Sequence, residues 1–210
     1  MKVNKWFGLV CIAAIMSSCA VSSDEKKENN GYENDVIKTI MERRSIRKYQ
    51  DKPVSRDILQ TLVECGVNAP NAVNRQQWQV RVVDNASYID GISAVYKAAN
   101  PKVEQDADFK NMFRNAPAVI FIASPKNGAA QVDCGLMGEN IILAAQSLGL
   151  GTCCLGGPVA FMKQNPEAAE YVEKLQLPDD YELLYAIGVG YPDESPTAKP
   201  RDMGKVKFID

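Results

Sequence analysis

A dense group of basic residues lies early in the chain, where a predicted helix passes into an extended segment. Arg43, Arg44, Ser45, Arg47 and Lys48 supply four cations and one hydroxyl within six residues. A guanidinium presents a planar fork that matches two phosphate oxygens, and a serine adds a neutral donor. The pattern therefore indicates a phosphate site. The alternative is that the cations complement the dipole of a helix C-terminus and stay solvated.

Segment 68–78 is rich in side-chain amides and ends at Trp78. An amide offers a donor and an acceptor together, which matches the edge of a heteroaromatic ring. The alternative is an Asx-rich turn closed by a core tryptophan. The candidate ligand residues in this segment are Pro70, Asn71, Ala72 and Asn74.

Glycines flank a short apolar segment at 149–158, which contains the candidate residues Cys154, Leu155, Gly156 and Gly157. Glycine lets the backbone approach a flat ligand closely, although the same residues also suit a helix cap followed by a tight turn. The segment is not a dinucleotide fingerprint, because G-x-G-x-x-G after a strand is absent. A last basic pair, Lys199 and Arg201, flanks Pro200 and is either an anion ligand or part of a solvated tail.

The chain contains no histidine. This absence excludes Ser-His-Asp and Cys-His catalysis and the His-rich kinds of zinc site. The chemistry of an enzyme would then come from carboxylates, a lysine or tyrosine, or a bound cofactor. The cysteines outside the N-terminal segment (Cys65, Cys134, Cys153, Cys154) lack metal-ligand spacing, so we expect no metal site. We interpret them as small buried apolar residues, with one disulfide as the alternative.

Hydrophobic periodicity and capping residues predict interleaved helices and strands. The predicted helices are 34–43, 55–67, 87–99, 106–114, 133–148 and 166–175, and the predicted strands are 79–83, 118–123, 152–155 and 182–189. Their order lacks a strict βαβ rhythm, which predicts an α/β (α+β) fold with a mixed central sheet flanked by helices. Helix 133–148 is apolar nearly all round, so we expect it to be buried as a central helix or against a partner subunit.

Together and in this order, the four groups resemble the FMN-dependent nitroreductase family. The resemblance runs from about Asn34 to Ile209, and its most specific part is E-R-R-S-I-R-K-Y followed by A-P-N-A-V-N-R-Q-Q-W. It implies a nitroreductase-like intertwined homodimer with two FMN sites at the subunit interface. By this match Arg43, Ser45 and Arg47 would hold the ribityl phosphate with Lys199 and Arg201. Asn71 and Asn74 would come from the partner subunit, residues 154–157 would line the isoalloxazine ring, and helix 133–148 would form the dimer core.

The chain departs from the family pattern at several positions. Asn71 stands where a small hydroxyl residue is usual, Gln77 stands where a proline is usual, and the glutamate that many members carry near Gly156 is missing. Segment 99–117 is short where larger relatives insert helices over the flavin. These departures leave the substrate and the nicotinamide preference open.

The resemblance implies a flavin that takes and gives two electrons through its N5, so the lack of histidine is no obstacle. We expect an FMN-dependent oxidoreductase that reduces a flat aromatic acceptor, a nitro compound or a quinone. The alternatives are an exported flavin-binding protein without turnover and a flavin dehydrogenase acting on an exported substrate. NAD(P)H is a possible electron donor. Export and the short segment 99–117 favour a membrane redox partner or a reduced exported substrate as the physiological donor.

The N-terminus predicts a secretory signal over residues 1–18. Lys2 and Lys5 precede an apolar run that is too short for a spanning helix, and small residues lead to Cys19. This pattern resembles a bacterial lipobox, which implies lipidation of Cys19 and an exported protein anchored to a bacterial membrane on its periplasmic or surface side. Ordinary cleavage near Ala20 and an uncleaved anchor helix are the alternatives.

The composition after Cys19 sets the remaining boundaries. Polar residues predict a disordered tether over 19–33, followed by one FMN-binding domain over 34–210. The formal charge is −2, and two lysines leave with the signal, so the mature chain is more acidic still. Without a broad basic face, we expect no nucleic-acid partner.

Overall fold

The computed structural model describes residues 34–209. The predicted signal, the lipidation site Cys19 and the tether lie outside these residues. The helices are α1 (Asp35–Glu42), α2 (Arg56–Val67), α3 (Ala86–Ala98), α4 (Pro101–Glu104), α5 (Gln131–Ser147), α6 (Gly156–Gln164) and α7 (Ala169–Glu173). The strands are β1 (Gln79–Val83), β2 (Ala118–Pro125), β3 (Gly151–Leu155) and β4 (Tyr181–Gly190).

The four strands form one sheet in the order β1-β2-β4-β3, and every neighbouring pair is antiparallel. β2 is buried along its whole length, as its continuous apolar run predicts. The free edge of β3 carries an isolated parallel bridge between Ser45 and Thr152. The predicted fold class, a central sheet flanked by helices, is confirmed, and antiparallel pairing accounts for all of its named strands.

Alternate strand residues face two separate cores, as the period of two in a strand requires. Ile120 and Ile187 pack with α2 and α5 on one face of the sheet. Phe121 and Leu155 pack with α3, α6 and α7 on the other face. The sheet is therefore covered on both faces, and β3 lies at an edge where the chain segment before α2 can reach it.

Helix α5 is buried on one side only within a single chain. Met137 and Ile141 are buried against the sheet, whereas Val132 is 75 % exposed and Leu136 and Leu148 are also exposed. The central-helix interpretation, which expects burial nearly all round, is therefore wrong for the isolated chain. The helix begins at Gln131, two residues before the predicted start.

The predicted helix 106–114 is wrong. The helix in this region is α4, and residues 106–115 form turns instead. The side chain of Asn115 explains the difference, because its Oδ1 accepts from the backbone N–H groups of Lys110 and Asn111, both at 2.9 Å. Asparagine side chains that bind the backbone in this way compete with helix formation. Arg114 and Asn115 also adopt left-handed φ angles of 60° and 63°, which end any helix.

Two predicted elements in the second half of the chain, segment 149–158 and helix 166–175, can be compared with the structure. The glycines at 156 and 157 begin helix α6, which the interpretation as a tight turn did not predict. The predicted helix 166–175 is confirmed as a short 3₁₀ turn followed by α7. Within residues 34–209, no helix has both the length and the apolar character needed to cross a bilayer.

Candidate functional site

A cleft of about 780 Å³ opens where three segments of the chain meet. Ligand sites of small molecules typically occupy roughly 300–1,000 Å³. The segments are 47–49, the junction of β3 and α6, and the turns of 106–115. The predicted site residues that line the cleft are Arg47, Cys154, Leu155, Gly156 and Gly157.

Backbone pairing with β3 fixes the basic segment at the cleft. The Ile46 N–H donates to the Thr152 carbonyl at 2.8 Å, next to the bridge formed by Ser45. This close approach requires glycine at 151, because an added Cβ would lie 2.7 Å from Cγ1 of Ile46. Gly151 therefore allows the segment that carries Arg47 to lie against the edge strand.

The half-buried Tyr49 gives the same segment a second attachment. Its hydroxyl donates to the Ile46 carbonyl at 2.6 Å. Burial raises the pKa of Tyr49 above its usual range, so the phenol stays protonated and keeps donating this hydrogen bond. The Asp193 N–H donates to the Lys48 carbonyl at 3.0 Å, and the Arg47 N–H donates to the Glu194 carboxylate. Arg47 is thus held through its backbone while its side chain remains exposed.

The N-terminus of α6 forms the opposite edge of the cleft. No side chain caps this helix, and its first residues are the exposed glycines Gly156 and Gly157. The first N–H groups of a helix have no partner within it and carry partial positive charge. An added Cβ at either glycine would meet no atom within 4 Å. The backbone here is therefore open to a ligand and offers it hydrogen-bond donors.

The cysteines at the end of β3 are protonated thiols. Burial raises the pKa of Cys153, against the lowering effect of the nearby Arg47 and Arg114 guanidiniums. Partial desolvation of its thiol, together with the neighbouring Cys153 and Glu139, raises the pKa of Cys154 although part of the residue is exposed. A thiol is a poor nucleophile until it loses its proton. Their contribution to the cleft is therefore contact surface rather than thiolate chemistry.

The four described cysteines are all free, and two of them, Cys134 and Cys153, are buried as predicted. Cys65 is half-buried and Cys154 is exposed at the cleft, so the interpretation as buried apolar residues is wrong for these two. Within residues 34–209, no group of three or more potential ligands is positioned to hold a metal ion.

Of the first basic group, Lys48 lines the cleft beside Arg47, whereas Arg43, Arg44 and Ser45 lie around it. The Arg43 Nε is 3.8 Å from a carboxylate oxygen of Glu139. Arg44 turns away and donates to the carbonyls of Met41 and Arg43, both at 2.7 Å, at a separate surface pocket. Ser45 lies between them on the edge of β3. The structure therefore presents Arg47 and Lys48, and not the whole group, to the cleft.

The two remaining predicted groups lie outside the wall of this cleft. Lys199 and Arg201 are exposed, and Arg201 Nη1 donates to the Lys199 carbonyl at 3.1 Å. The segment with Pro70, Asn71 and Asn74 lies beside α5, where the Ala72 N–H donates to the Asp133 carboxylate at 3.1 Å. Left-handed φ angles at Val73, Asn74 and Gln76 (44°, 55° and 51°) store strain in this segment. One chain alone does not bring these groups together with Arg47.

The turns of 106–115 were missed as part of the site. They bring Lys110 and Arg114 to the cleft, and the neighbouring Tyr96 and Phe109 add aromatic surface. A signal for these turns exists in the sequence, since Asn111 and Asn115 are spaced four residues apart and asparagine tolerates left-handed backbone. Tyr49 and Gly151 lie in the basic motif and the glycine segment, but the sequence does not indicate that both of them contact Ile46.

The chain belongs to the nitroreductase family, whose model matches residues 40–191. It is 30 % identical over 174 residues to the NADPH-flavin oxidoreductase of Vibrio harveyi, covering 80 % of this chain and 70 % of that protein. It is 29 % identical over 187 residues to the FMN reductase [NAD(P)H] of Bacillus subtilis, with the same two coverages of 80 % and 70 %. The family identified from the basic, amide and glycine groups is confirmed.

Solved structures show the same fold. A nitroreductase with bound FMN from Desulfitobacterium hafniense superposes with a TM-score of 0.75 at 26 % identity, covering 85 % of this chain and all of that one. An FMN-dependent nitroreductase from Clostridium difficile gives a TM-score of 0.71 at 28 % identity, covering 84 % and 99 % of the two chains. The expectation of a nitroreductase-type oxidoreductase fold is therefore confirmed.

Proposed function

We propose that this chain is an FMN-dependent oxidoreductase that reduces a flat aromatic acceptor, a nitro compound or a quinone. The observation that carries the proposal is the cleft in which Arg47 faces the open glycine edge of α6. The names of the relatives, an NADPH-flavin oxidoreductase and an FMN reductase, support the same class. When bound, FMN would supply a two-electron carrier, and the lack of histidine is no obstacle to that chemistry.

The donor set of the cleft fits FMN. Arg47 offers a guanidinium to a phosphate, with Arg43 and Ser45 close to it along the same segment. Gly156 and Gly157 offer backbone N–H groups to the acceptor atoms on the edge of a flat ring, with no side chain to block the approach. Residues 154–157 would thus orient the ring, while the basic segment holds the charged end. The proposed role of the chain is to bind, orient and shield from water.

The test of the cofactor proposal is direct. Purified protein should be yellow and should release FMN on denaturation. Apoprotein titrated with FMN should quench the flavin fluorescence. A colourless protein that neither perturbs flavin absorbance nor quenches its fluorescence would disprove the proposal.

The proposal of turnover needs its own experiment, because a flavin-binding protein without activity would also be yellow. The bound flavin should be reduced in anaerobic stopped-flow experiments and then reoxidised by an aromatic acceptor within the turnover time. Flavin that is bound but exchanges no electrons with any donor or acceptor would favour the carrier alternative. Flavin reduced only by an exported organic substrate would favour the dehydrogenase alternative.

We also propose that the working form is a homodimer with shared FMN sites. The support comes from apolar surface that one chain leaves uncovered. Helix α1 has no buried residue, the outer side of α5 exposes Val132, and the tail exposes Phe208 by 92 %. The strained segment with Asn71 and Asn74 also lies outside the cleft of its own chain. A partner subunit could cover the apolar surface and receive these asparagines.

Mixed dimers test the shared site. Arg47→Ala and Asn74→Ala should each weaken FMN binding when expressed alone. If Asn74 serves the partner's site, a mixed dimer of the two variants contains one intact site and one doubly altered site. The purified mixed dimer should therefore have about half of its sites tight, and unsorted co-expressed protein about a quarter, because random pairing makes about half of the dimers mixed. No restoration, or a monomer that binds FMN fully at micromolar concentration, would contradict the shared-site proposal.

The proposed location is a bacterial membrane, reached by export and by lipid on Cys19. Acyl chains contribute about 0.8 kcal/mol per buried CH₂, so Cys19→Ser should move the protein from the membrane fraction to the soluble fraction. Wild-type protein that is already soluble after cell disruption would contradict the proposal. Away from the cytoplasmic nicotinamide pool, a membrane quinol is the proposed electron donor. Tight saturation and fast flavin reduction by NADH or NADPH would contradict this part.

A further inference from the structure

The turns of 106–115 hold Arg114 in a conformation that side chains rarely adopt. Its φ of 60° is left-handed, which costs free energy for a residue other than glycine, asparagine or aspartate. The surrounding contacts impose this conformation. Asn115 binds the N–H groups of Lys110 and Asn111 and also donates to the Asp108 carbonyl at 2.7 Å.

Further contacts attach these turns to the core on both sides of Arg114. The Ser93 hydroxyl accepts from the Met112 N–H at 3.0 Å, and Asn111 donates to the Ala116 carbonyl at 3.1 Å. Phe113, next to Arg114, is fully buried. The backbone of Arg114 is therefore fixed, although its side chain is exposed.

The Arg114 side chain lines the same cleft as Arg47 and the glycine edge of α6. Within residues 34–209, no carboxylate forms an ion pair with it. The acidic residues on the cleft wall are Asp106, Asp108 and Asp193, and Asp106 already accepts from the Asp108 N–H at 3.0 Å. Arg114 thus offers a guanidinium on a fixed backbone, with donors that are available to a ligand.

Aromatic rings form another part of the cleft wall. Tyr96 and Phe109 stack with their centroids 6.1 Å apart and their planes inclined by 20°. Phe161 holds Tyr96 from the side, edge to face, at 4.9 Å. Stacked rings supply a flat apolar surface that suits an aromatic ligand. The cleft therefore combines a surface for a flat ring with cations besides the Arg47 proposed for the FMN phosphate, namely Lys48, Lys110 and Arg114, of which only Arg114 has the planar fork.

We propose that Arg114 is a specificity-determining residue that binds an anionic group on the aromatic acceptor. The preferred substrates would then be flat aromatic compounds that carry a carboxylate or a similar anion. This inference rests on the proposed function, since the anion is recognised while the aromatic ring lies at the flavin. Arginine suits this role because its planar fork binds a carboxylate through two parallel hydrogen bonds.

The test compares two nitro acceptors that differ in charge, para-nitrobenzoate and para-nitrobenzyl alcohol. The protein with bound FMN is reduced by a stoichiometric amount of dithionite and mixed with each acceptor without oxygen. The nitro group takes up two electrons and two protons, releases water and becomes a nitroso group. The second-order rate constant of flavin reoxidation is measured for each acceptor.

The variants are chosen to separate charge recognition from folding. Arg114→Asn removes the guanidinium and should fold, because asparagine tolerates the left-handed backbone. Arg114→Lys keeps the charge but loses the fork. Lys102→Gln is the matched control, since Lys102 is exposed on α4 and does not line the cleft.

Arg114→Asn should lower the rate constant for para-nitrobenzoate by about tenfold or more, as expected for the loss of a charge-assisted hydrogen bond. For the alcohol, the change should stay below about twofold. Arg114→Lys should give an intermediate loss, and Lys102→Gln should give none. The FMN content should be equal in all four proteins.

Equal losses for both acceptors would overturn the proposal, because Arg114 would then act on the fold or on the flavin. A loss for Lys102→Gln as large as that for Arg114→Asn would overturn it as well, since net charge alone would explain the effect. Flavin reduction by NADPH is measured in parallel, and a loss confined to that step would overturn the proposal by assigning Arg114 to nicotinamide phosphates. If wild-type protein bound no FMN, the proposed function itself would fail, whereas bound and reducible flavin without charge selectivity would refute this inference alone.

Discussion

Two basic segments of the chain are predicted to hold the same phosphate, yet the fold treats them differently. The segment with Ser45 and Arg47 is bonded to β3 and supported by Tyr49. The segment with Lys199 and Arg201 is fully exposed, and the hydrogen bonds of Arg201 reach only to its immediate neighbours. One half of the proposed phosphate site is therefore built into the single chain, and the other half is not.

The difference indicates how binding free energy would be divided between the two segments. A group that the fold already holds loses little conformational freedom when it binds, so more of its interaction appears as affinity. An exposed tail must be ordered at the moment of binding, by the ligand or by a partner subunit. We therefore expect Arg47 to determine FMN affinity in any assembly state, and the tail to contribute only when the dimer is formed.

Deleting residues 197–210 should cause the largest loss of FMN affinity among these variants. All residues from 197 to 209 are exposed in the single chain, so apoprotein diluted below the dimer dissociation constant should melt within about 3 °C of wild type. FMN affinity should fall by about a hundredfold or more, because two charge-assisted contacts of ~1.5–3 kcal/mol each are lost. Fluorescence titration measures the affinity and sedimentation equilibrium measures the dimer.

A charge-only double variant is the control for this deletion. Changing Lys199 and Arg201 to Ala together should weaken FMN binding while the dimer persists, because the apolar residues Val206 and Phe208 remain. Tight FMN binding by the truncated protein would show that the tail has no part in the site.

Single substitutions compare the contributions of the two segments to FMN affinity directly. Arg47→Ala should weaken FMN binding by roughly tenfold or more, and the loss should be the same at every protein concentration. The loss for Arg201→Ala should grow as the protein is concentrated into the dimer, because the tail contributes to the site only there. Titrations at two protein concentrations, below and above the dimer dissociation constant, check this. Identical behaviour of the two variants would contradict the division between them.

The fold class and most elements could be predicted from the sequence because their signals are local. The apolar run of β2 and the side-chain caps Asn34 and Ser55 indicate their elements through near neighbours alone. The helix predicted for residues 106–114 is wrong because periodicity does not include hydrogen bonds from side chains to the backbone. Asn111 and Asn115 bind backbone groups that a helix would otherwise use, and a periodicity argument does not register that competition.

The site was only partly predictable because its geometry is made by distant contacts. Arg47 and Gly156 lie 109 positions apart in the sequence yet line one cleft. A basic cluster indicates which chemistry is available, but not which of its members faces the ligand. Arg44 illustrates this limit. Both Arg44 and Arg47 donate to carbonyl groups of their own segment, but Arg47 lines the cleft whereas Arg44 lines a separate pocket.

The contact between β3 and the segment with Ser45 and Arg47 can be disrupted at Gly151 without changing any charged residue. In Gly151→Val, the added Cβ would lie 2.7–2.9 Å from three side-chain atoms of Ile46, so the segment must shift. Overpacking of this kind costs about 1–3 kcal/mol of folding stability, and FMN affinity should fall with the displacement of Arg47. Chemical denaturation of the apoprotein measures the first effect. Gly156→Ala, whose Cβ meets no atom within 4 Å, is the control and should leave apoprotein stability unchanged.

The smallest effect is expected at Tyr49, and it depends on pH. Tyr49→Phe removes the hydrogen bond to the Ile46 carbonyl, which should cost ~1 kcal/mol of stability at neutral pH. Burial raises the pKa of Tyr49 above its usual value, so above about pH 10 the unfolded chain releases a proton that the folded chain keeps. The contribution of the phenol is therefore complete below that pH and is lost as the pH rises further. Denaturation curves should show wild type and Tyr49→Phe converging between pH 10 and the onset of alkaline unfolding, by at most about 1.4 kcal/mol per pH unit. A stability difference that is independent of pH over this window would mean that the phenol does not titrate with unfolding, whereas no difference at any pH would mean that Tyr49 holds the basic segment by packing alone.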